Sequence, residues 1–303
     1  MSRPCVSPIR LVRCIPSMAL SLAFANLIRL FNQTGTLLLL FPTLWSLFLA
    51  SQGWPSLKLL VIFILGSFLM RSAGVIMNDF ADRSFDREVQ RTRHRPLACG
   101  QLAPFQALTF LAVLLGLAAI LLMFLNPLTR LLSPVALLLA GIYPFCKRFI
   151  HIPQFVLGLA FGWGSVMAWA AVRNELNLSA WVLFAATVCW AMVYDTIYAI
   201  QDKDDDQRIG VKSTALFFGS FTWLGVGIAG FFMLGCLALV ARINHLGIEY
   251  SLTLMGVATI LGYQVLLLRS KISGERAFAL FKQHIWIGVL ILGGIWIGLP
   301  YTN

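Results

Sequence analysis

Long apolar runs are the feature that most constrains what this chain can fold into. From Leu37 to the C-terminus, apolar stretches recur that each reach the roughly 18 to 22 residues a helix needs to cross the hydrocarbon core of a bilayer. Only 12% of the side chains are charged, about half the share found in a soluble domain. A water-soluble fold is therefore excluded, and the sequence predicts an all-α integral membrane protein.

Polar and Pro/Gly breaks between the runs predict about nine transmembrane helices. They belong to a single membrane domain, 27–303, which follows a basic amphipathic segment at 1–26. A cleaved signal peptide and an organellar transit peptide are alternative interpretations of that first segment. The predicted spans are 27–50, 57–80, 103–125, 129–146, 152–172, 178–200, 213–241, 247–268 and 281–300.

Basic residues are distributed unevenly between the two sides of these spans. With the N-terminus inside, seventeen Lys and Arg residues fall on the inner side and four on the outer side, while Arg29 and Arg71 lie within spans. The positive-inside rule therefore predicts a cytoplasmic N-terminus. The net charge of +11 would indicate a nucleic-acid partner in a soluble chain, but membrane orientation accounts for it here, and we expect no nucleic acid.

All eight aspartates lie in two short segments, at the predicted cytoplasmic ends of the second and sixth spans. A spacing of three, four or seven residues places side chains on one face of a helix. Each segment therefore predicts a stripe of oxygen ligands, and the two stripes can face each other across a bundle. Their members are Asn78, Asp82 and Asp86 in the first segment, and Asp195, Asp202 and Asp206 in the second.

Oxygen ligands without His or thiolate favour Mg²⁺ or Ca²⁺ over zinc. Mg²⁺ is commonly completed by substrate phosphates, so the two stripes predict a diphosphate or triphosphate ligand. Asp82, Asp86, Asp202 and Asp206 are the predicted catalytic residues. Basic residues crowd the same membrane edge and can bind phosphate directly. They are Arg83, Arg87, Arg91, Arg95, Lys147, Arg148, Lys203 and Lys212.

These motifs resemble those of the UbiA-type intramembrane aromatic prenyltransferases, and most closely the hydroxybenzoate branch of that family. The resemblance covers nearly the whole chain. It is carried by Asn78-Asp79-x-x-Asp82-x-x-x-Asp86, Arg91-Thr92-x-x-Arg95-Pro96-Leu97, Tyr143-Pro144-Phe145-Cys146-Lys147-Arg148, Pro153-Gln154 through Phe161-Gly162-Trp163, Tyr194-Asp195-Thr196-x-Tyr198-Ala199-x-x-Asp202 through Asp206, and Gly210-x-Lys212-Ser213-Thr214.

The resemblance implies a bundle around a central cavity that opens to the cytoplasmic side. It also implies Mg²⁺-dependent transfer of a polyprenyl group from polyprenyl diphosphate to C3 of 4-hydroxybenzoate, a step of ubiquinone biosynthesis. The family's metal residues map onto the two stripes. Its substrate-binding residues map onto Asn78, Arg91, Arg95, Lys147, Arg148, Lys203 and Arg29.

One departure from the hydroxybenzoate branch lies at the start of the first span. That branch often has Arg-Leu-Asp-Lys-Pro, where this chain has Arg29-Leu30-Phe31-Asn32-Gln33. Only the arginine and the leucine of that run are retained.

Arg71 is the candidate ligand for the acceptor carboxylate. It lies seven residues before Asn78 in an apolar run, so both side chains share a face of the same predicted helix. The family resemblance places an acceptor-binding arginine at this position, and an inward ion pair with an aspartate is the alternative. Aromatic side chains that could shield an allylic cation from water are Phe155, Phe161, Trp163, Trp169 and Trp190.

Other acceptors of the same family remain open: homogentisate, dihydroxynaphthoate, haem or a chlorophyllide. From a different class, a divalent-cation transporter would use the aspartate stripes as an ion path, but the basic residues on the same edge would repel its cargo. We expect a multi-pass protein of the bacterial inner (cytoplasmic) membrane, in contact with membrane lipid and with its site facing the cytoplasm. The mitochondrial inner membrane is the alternative.

Overall fold

A computed structural model of the protein describes residues 17–300. Within that range the secondary structure is helical, and nine helical segments are long and apolar enough to cross a membrane. The predicted all-α membrane fold is therefore confirmed. The helices are α1 (Ser17–Leu27), α2 (Thr34–Ser51), α3 (Leu57–Ala81), α4 (Arg83–Asp86), α5 (Pro104–Leu122), α6 (Pro127–Phe149), α7 (Pro153–Arg173), α8 (Leu178–Ile209), α9 (Thr214–Phe218), α10 (Thr222–Ile243), α11 (Ile248–Leu268) and α12 (Gly274–Gly298).

Local sequence signals explain several of the helix boundaries. Pro104, Pro127 and Pro153 each occupy the first residue of a helix, where the missing N–H costs nothing. The side chain of Asn177 caps α8 by accepting a hydrogen bond from the Ala180 N–H. The same helix ends at Gly210, whose φ of 79° is left-handed, a conformation that favours glycine.

The observed helices differ from the predicted spans at four places, one of which is the span 213–241, divided into α9 and α10 by the turn at Gly219–Phe221. The first transmembrane helix begins at Thr34 instead of residue 27, because the chain turns after α1 and Arg29 adopts a left-handed φ of 54°. Helix α8 continues to Ile209, beyond the predicted end at 200. The last helix begins at Gly274 instead of residue 281. In α8 and the last helix, the polar stretches 201–209 and 274–280 stay helical although hydropathy falls there, whereas at Arg29 the chain turns within an apolar run.

Helix α8 lies at the centre of the bundle and packs against α2, α7, α10 and α12. Its buried aromatic residues fix this packing. Trp190 lies 4.8 Å, ring centre to ring centre, from Trp45 of α2 and donates a hydrogen bond to Nδ1 of His284 on α12. Trp45 donates to the Gly288 carbonyl. Because α8 is anchored on both sides, the aspartates at its end have a fixed position relative to α2 and α12.

The predicted N-terminal segment 1–26 is only partly described. Residues 1–16 lie outside the described range, and residues from Ser17 onward form α1. Ala23 and Leu27 of that helix are buried in one apolar cluster with Ala73, Ile76 and Leu111 of α3 and α5. The boundary between this segment and the membrane domain stays a prediction.

Candidate active site

A polar cavity of about 410 Å³ lies at the end of the bundle that carries the acidic and basic residues. Side chains from α2, α3, α6, α7, α8, α12 and the connection from α4 to α5 line it. A smaller cavity of about 90 Å³ is lined by several of the same residues together with Asp86, Arg148 and Asp206. The predicted site residues that line the larger cavity are Arg29, Arg71, Asn78, Asp82, Arg91, Arg95, Lys147, Asp195 and Asp202.

Asp79 forms the centre of a buried ion-pair network that the stripe pattern did not identify. Its carboxylate is fully buried, and its Oδ1 lies 2.9 Å from Nη2 of Arg29 and 3.1 Å from Nη1 of Arg95. The same Nη1 of Arg95 lies 2.9 Å from Oδ2 of Asp86. Asp79 thus holds two arginines at the edge of the polar cavity. The one sequence signal for it was a further acid beside Asn78, at the end of an apolar run.

Arg29 keeps a positive charge in this network. Burial is the largest influence on its guanidinium and lowers its pKa to about 10, although the Asp79 carboxylate opposes that shift. A group with that pKa remains protonated at neutral pH. Arg29 therefore contributes a cation to the cavity wall even though the rest of the family's Arg-Leu-Asp-Lys-Pro run is missing.

The sequence predicted that one uninterrupted helix carries the first stripe, but the structure shows a break in it. Helix α3 ends at Ala81, and Asp82 separates it from the single turn of α4. The i to i−4 hydrogen bonds nevertheless continue, from the Asp82 N–H to the Asn78 carbonyl and from the Asp86 N–H to the Asp82 carbonyl, both at 2.8 Å. The break leaves Asp82 on the polar cavity, whereas Asp86 lines the smaller cavity and pairs with Arg95.

The second stripe lies on one continuous helix, as predicted. Asp195, Asp202 and Asp206 all belong to α8. Arg91, from the connection after α4, forms a two-pronged ion pair with Asp202: Nε lies 2.9 Å from Oδ1 and Nη2 lies 2.8 Å from Oδ2. This pair joins the connection to α8 across the opening between the two aspartate segments.

The three predicted phosphate-binding residues of α6 and α8 have different surroundings. Lys147 lines both cavities. Arg148 donates to the Ala81 carbonyl at the end of α3 and lies over the rings of Phe85 and Phe145. It therefore reaches only the smaller cavity.

Lys203, the third of these residues, contacts a different segment in this structure, and its role in binding phosphate stays a prediction. Its Nζ donates to the Gly219 carbonyl beyond α9, and its side chain lines neither cavity. The sequence could not reveal this, because the partner is a backbone carbonyl in a different segment.

Arg71 and Asn78 lie one above the other on α3, as predicted, and both contain a buried polar atom without a partner. Neither Nε of Arg71 nor Oδ1 of Asn78 makes a hydrogen bond within the described residues. The Arg71 guanidinium lies 5.7 Å from the centre of the Phe161 ring. The predicted alternative, an ion pair between Arg71 and an aspartate, is not present in residues 17–300. Buried polar atoms are normally hydrogen-bonded, so these two atoms are free to bind a ligand in the cavity.

An apolar cavity of about 350 Å³ adjoins the polar one, and Arg71, Asn78, Tyr143, Leu157 and Phe161 line both. Its other walls are mostly apolar side chains of α2, α3, α5, α6 and α7. The cavity system is therefore charged at one end and apolar at the other. Arg71 lies at the junction between the two parts.

Of the aromatic walls predicted from sequence, only Phe161 lines these cavities. Trp163 donates to the Leu132 carbonyl, and Trp190 to His284. Trp169 is buried in the core, and Phe155 is exposed on the outer surface. Tyr194 and Tyr198 of α8 and Phe281 of α12 line the polar cavity instead. The packing of α8 against its neighbours determines which of these side chains face the cavity, and hydropathy does not predict that packing.

Two of the quoted sequence motifs have a structural role beside the site. The Gln154 side chain accepts a hydrogen bond from the Thr214 N–H, and the Thr214 hydroxyl lies 2.8 Å from that of Thr196. These bonds tie the start of α7, the start of α9 and the middle of α8 together. They fix α8 six residues before Asp202, which is less than two helical turns.

The structure tests whether the predicted metal residues fit Mg²⁺. No three acidic, His or Cys side chains within residues 17–300 lie close enough to form a metal cluster by themselves. The free oxygen donors are nevertheless suitable: Oδ1 of Asn78 is buried and unpartnered, and Asp82 and Asp195 form no ion pair within the described chain. Burial raises the pKa of Asp82 above its ordinary value, so a nearby cation would stabilise its charged form. Oxygen donors of this kind fit Mg²⁺.

Sequence comparisons place the chain among membrane prenyltransferases. A model of the UbiA prenyltransferase family matches residues 39–296. A 4-hydroxybenzoate octaprenyltransferase of Polynucleobacter asymbioticus is 47% identical over 281 residues, which cover 91% of this chain and 96% of that protein. A 4-hydroxybenzoate octaprenyltransferase of Colwellia psychrerythraea is 44% identical over 274 residues, covering 90% of this chain and 95% of that protein.

Solved structures show the same fold. The apo structure of a UbiA homologue from Aeropyrum pernix has a TM-score of 0.72 at 23% identity and covers 87% of this chain and 98% of that one. A UbiA homologue from Archaeoglobus fulgidus, solved with GPP and Mg²⁺, has a TM-score of 0.65 at 16% identity and covers 89% of this chain and 99% of that one. With the family match over most of the chain, these likenesses establish that the protein belongs to the UbiA prenyltransferase family.

Proposed function

We propose that this protein transfers a polyprenyl group from a polyprenyl diphosphate to C3 of 4-hydroxybenzoate, a step of ubiquinone biosynthesis. The observation that carries the proposal is the position of Arg71. Its guanidinium, whose Nε is buried and has no partner within the described residues, lies where a polar cavity meets an apolar one. A cation in that place fits an acceptor with a carboxylate and an aromatic ring. The names of the relatives support the same acceptor.

The polar cavity supplies the charges that a leaving diphosphate needs. Arg29, Arg91, Arg95 and Lys147 line it. Cations positioned where negative charge develops are the main source of rate enhancement in such a reaction. The aspartates around them prevent a surplus of positive charge before the substrate binds.

The residues that would hold Mg²⁺ are Asn78 and Asp82 on one side of the cavity and Asp195 and Asp202 on the other, with Asp86 and Asp206 nearby. When bound, Mg²⁺ neutralises charge on the diphosphate. Asp202 and Asp86 pair with Arg91 and Arg95 in this structure. Their use as ligands therefore requires those arginines to exchange a carboxylate for a phosphate oxygen.

The bond changes follow from this arrangement. The bond between the allylic carbon and the diphosphate oxygen breaks, and the electron pair leaves with the diphosphate. The apolar cavity excludes water from the remaining allylic cation. Ring carbon C3 of the acceptor then forms the new carbon–carbon bond, and its proton passes to the released diphosphate or to an aspartate of the second segment, which restores the aromatic ring. Arg71 holds the carboxylate throughout and so fixes which ring carbon faces the cation.

We further propose that the protein lies in the bacterial inner membrane with its site open to the cytoplasm. Basic residues are concentrated at the end of the bundle that holds the polar cavity, and such residues favour the cytoplasmic side. Cysteine labelling from outside is expected to reach positions 173 and 242, but not 91 or 208. The opposite pattern would contradict the orientation.

Product analysis tests the activity. Purified protein with Mg²⁺, geranyl diphosphate and 4-hydroxybenzoate should form the 3-prenylated acid, identified by mass spectrometry. Parallel reactions with homogentisate, dihydroxynaphthoate and haem are expected to give little product. Product from one of these acceptors alone would assign a different acceptor within the family. No product from any of them, with metal flux in proteoliposomes, would favour the transporter.

A further inference from the structure

A glycine in the first turn of α2 contacts the guanidinium of Arg71. Gly35 is the second residue of α2 and lines the polar cavity beside Arg71. A methyl group built on its Cα would lie 2.5 Å from Nη2 and 2.6 Å from Nε of Arg71. Non-bonded carbon and nitrogen atoms do not approach this closely, so the guanidinium occupies space that only glycine leaves open.

Packing alone determines the orientation of this guanidinium. Arg71 makes no hydrogen bond and no ion pair within the described residues, and its Nε is buried. Gly35 lies against the guanidinium, and the Phe161 ring lies 5.7 Å from it. A side chain added at position 35 would therefore displace the guanidinium without breaking any polar contact of the protein.

We propose that Gly35 is a positioning residue, which sets the place of the Arg71 guanidinium and thereby the preference for acceptors with a carboxylate. The inference rests on the proposed function, because it takes Arg71 as the carboxylate ligand. Arginine binds a carboxylate through a fixed fork of N–H donors, so binding depends on where that fork is held. The atoms that would be displaced belong to the end of a long side chain, so the fold can tolerate the shift.

The first test is Gly35→Ala. We expect the KM for 4-hydroxybenzoate to rise by roughly ten- to hundred-fold, the effect of moving a positioning group by about 1 Å. The KM for geranyl diphosphate should change little, because Arg29, Arg95 and Lys147 remain. Use of an analogue that lacks the carboxylate should be unaffected. Gly141→Ala on α6 is the matched control, since a methyl group there meets no atom within 4 Å.

The second test repeats the substitution in an Arg71→Ala background. If Gly35 acts through Arg71, the added methyl group should then alter the KM for 4-hydroxybenzoate by less than about two-fold, because no guanidinium remains to be displaced. An equal loss in both backgrounds would overturn the positioning role. If Gly35→Ala alone does not yield folded protein, the double variant should be folded, since the contact is relieved. Failure of both variants to fold would also overturn the proposal.

The outcomes separate this inference from the proposed function. If the wild-type protein does not prenylate 4-hydroxybenzoate, the proposed function fails. If the wild type is active and Gly35→Ala has the same KM for the acceptor, only the positioning role fails. If Gly35→Ala loses the use of geranyl diphosphate to the same extent as that of the acceptor, the change is a general disruption, and the role assigned to Gly35 is wrong.

Discussion

The two aspartate segments look alike in sequence but differ in their surroundings. In the first, Asp79 and Asp86 are buried under Arg29 and Arg95, and the helix breaks at Asp82. In the second, an unbroken α8 carries its aspartates into the cavity, and Arg91 alone forms an ion pair with the stripe. The first segment therefore combines metal-binding candidates with a framework that orients arginines. The second segment chiefly offers candidate ligands.

Removal of the metal should have the largest effect, since both segments would contribute ligands. Activity is expected to vanish in EDTA and to return on addition of excess Mg²⁺, because the donors are carboxylate and amide oxygens. The measurement is product formation from geranyl diphosphate and 4-hydroxybenzoate. Full turnover in the chelator would show that the aspartates bind no metal and only orient the arginines through ion pairs.

Within the second segment, we expect substitution of Asp202 to reduce turnover far more than substitution of Asp205. Asp202→Asn should reduce turnover by at least about a hundred-fold, because it removes a carboxylate that would hold Mg²⁺ and that orients Arg91 at the cavity. Asp205 lines only the smaller cavity and already pairs with Arg208, three residues along the same helix, at 3.1 Å. Asp205→Asn should therefore be mild. Equal losses in the two variants, measured as kcat with saturating substrates, would contradict the stripe geometry.

Within the first segment, Asp79→Asn and Asp82→Asn should separate stability from catalysis. Asp79→Asn leaves Arg29 without its charged partner and is expected to destabilise the fold by as much as about 3 kcal/mol. The charge of Asp82 has the opposite effect on stability. Burial raises the pKa of Asp82, so its ionised form is disfavoured in the folded protein at neutral pH. Asp82→Asn should therefore keep or raise the Tm without Mg²⁺ while it abolishes turnover.

Thermal unfolding in detergent, followed by tryptophan fluorescence, measures both variants. Below the ordinary aspartate pKa the wild type and Asp82→Asn should have similar Tm values, since both side chains are then neutral. If Asp82→Asn lowers the Tm as much as Asp79→Asn does, both carboxylates stabilise the fold, and the distinction between them is wrong.

The smallest effect should come from substitution of Lys203. This residue was predicted to bind phosphate, but unlike Lys147 it does not line the cavities. Lys147→Ala removes a cation from both cavities and should cost at least about ten-fold in the use of geranyl diphosphate. Nζ of Lys203 donates to the Gly219 carbonyl, and its side chain lines neither cavity, so Lys203→Ala should stay within about two-fold of wild type. Kinetics with varied diphosphate at fixed acceptor check both variants, and a larger loss for Lys203 would mean that its side chain reorients towards the substrate.

Hydropathy and residue spacing determined the architecture and the outline of the site. Apolar runs predicted the transmembrane helices, since the thickness of the hydrocarbon core sets their length. The spacing of Asp195, Asp202 and Asp206 predicted their shared face, because α8 is unbroken there. The relation between Arg71 and Asn78 was predicted for the same reason. In each case the residues lie on one helix, where geometry follows directly from sequence separation.

Contacts between helices were decided only by the tertiary structure. Asp79 binds an arginine fifty residues earlier in the chain, Lys203 binds a carbonyl beyond α9, and Gly35 leaves space for Arg71 of another helix. None of these contacts changes hydropathy or periodicity. The sequence identifies which charges must be compensated in the membrane, but packing between distant segments selects the partners, because only the assembled bundle fixes their distances and directions.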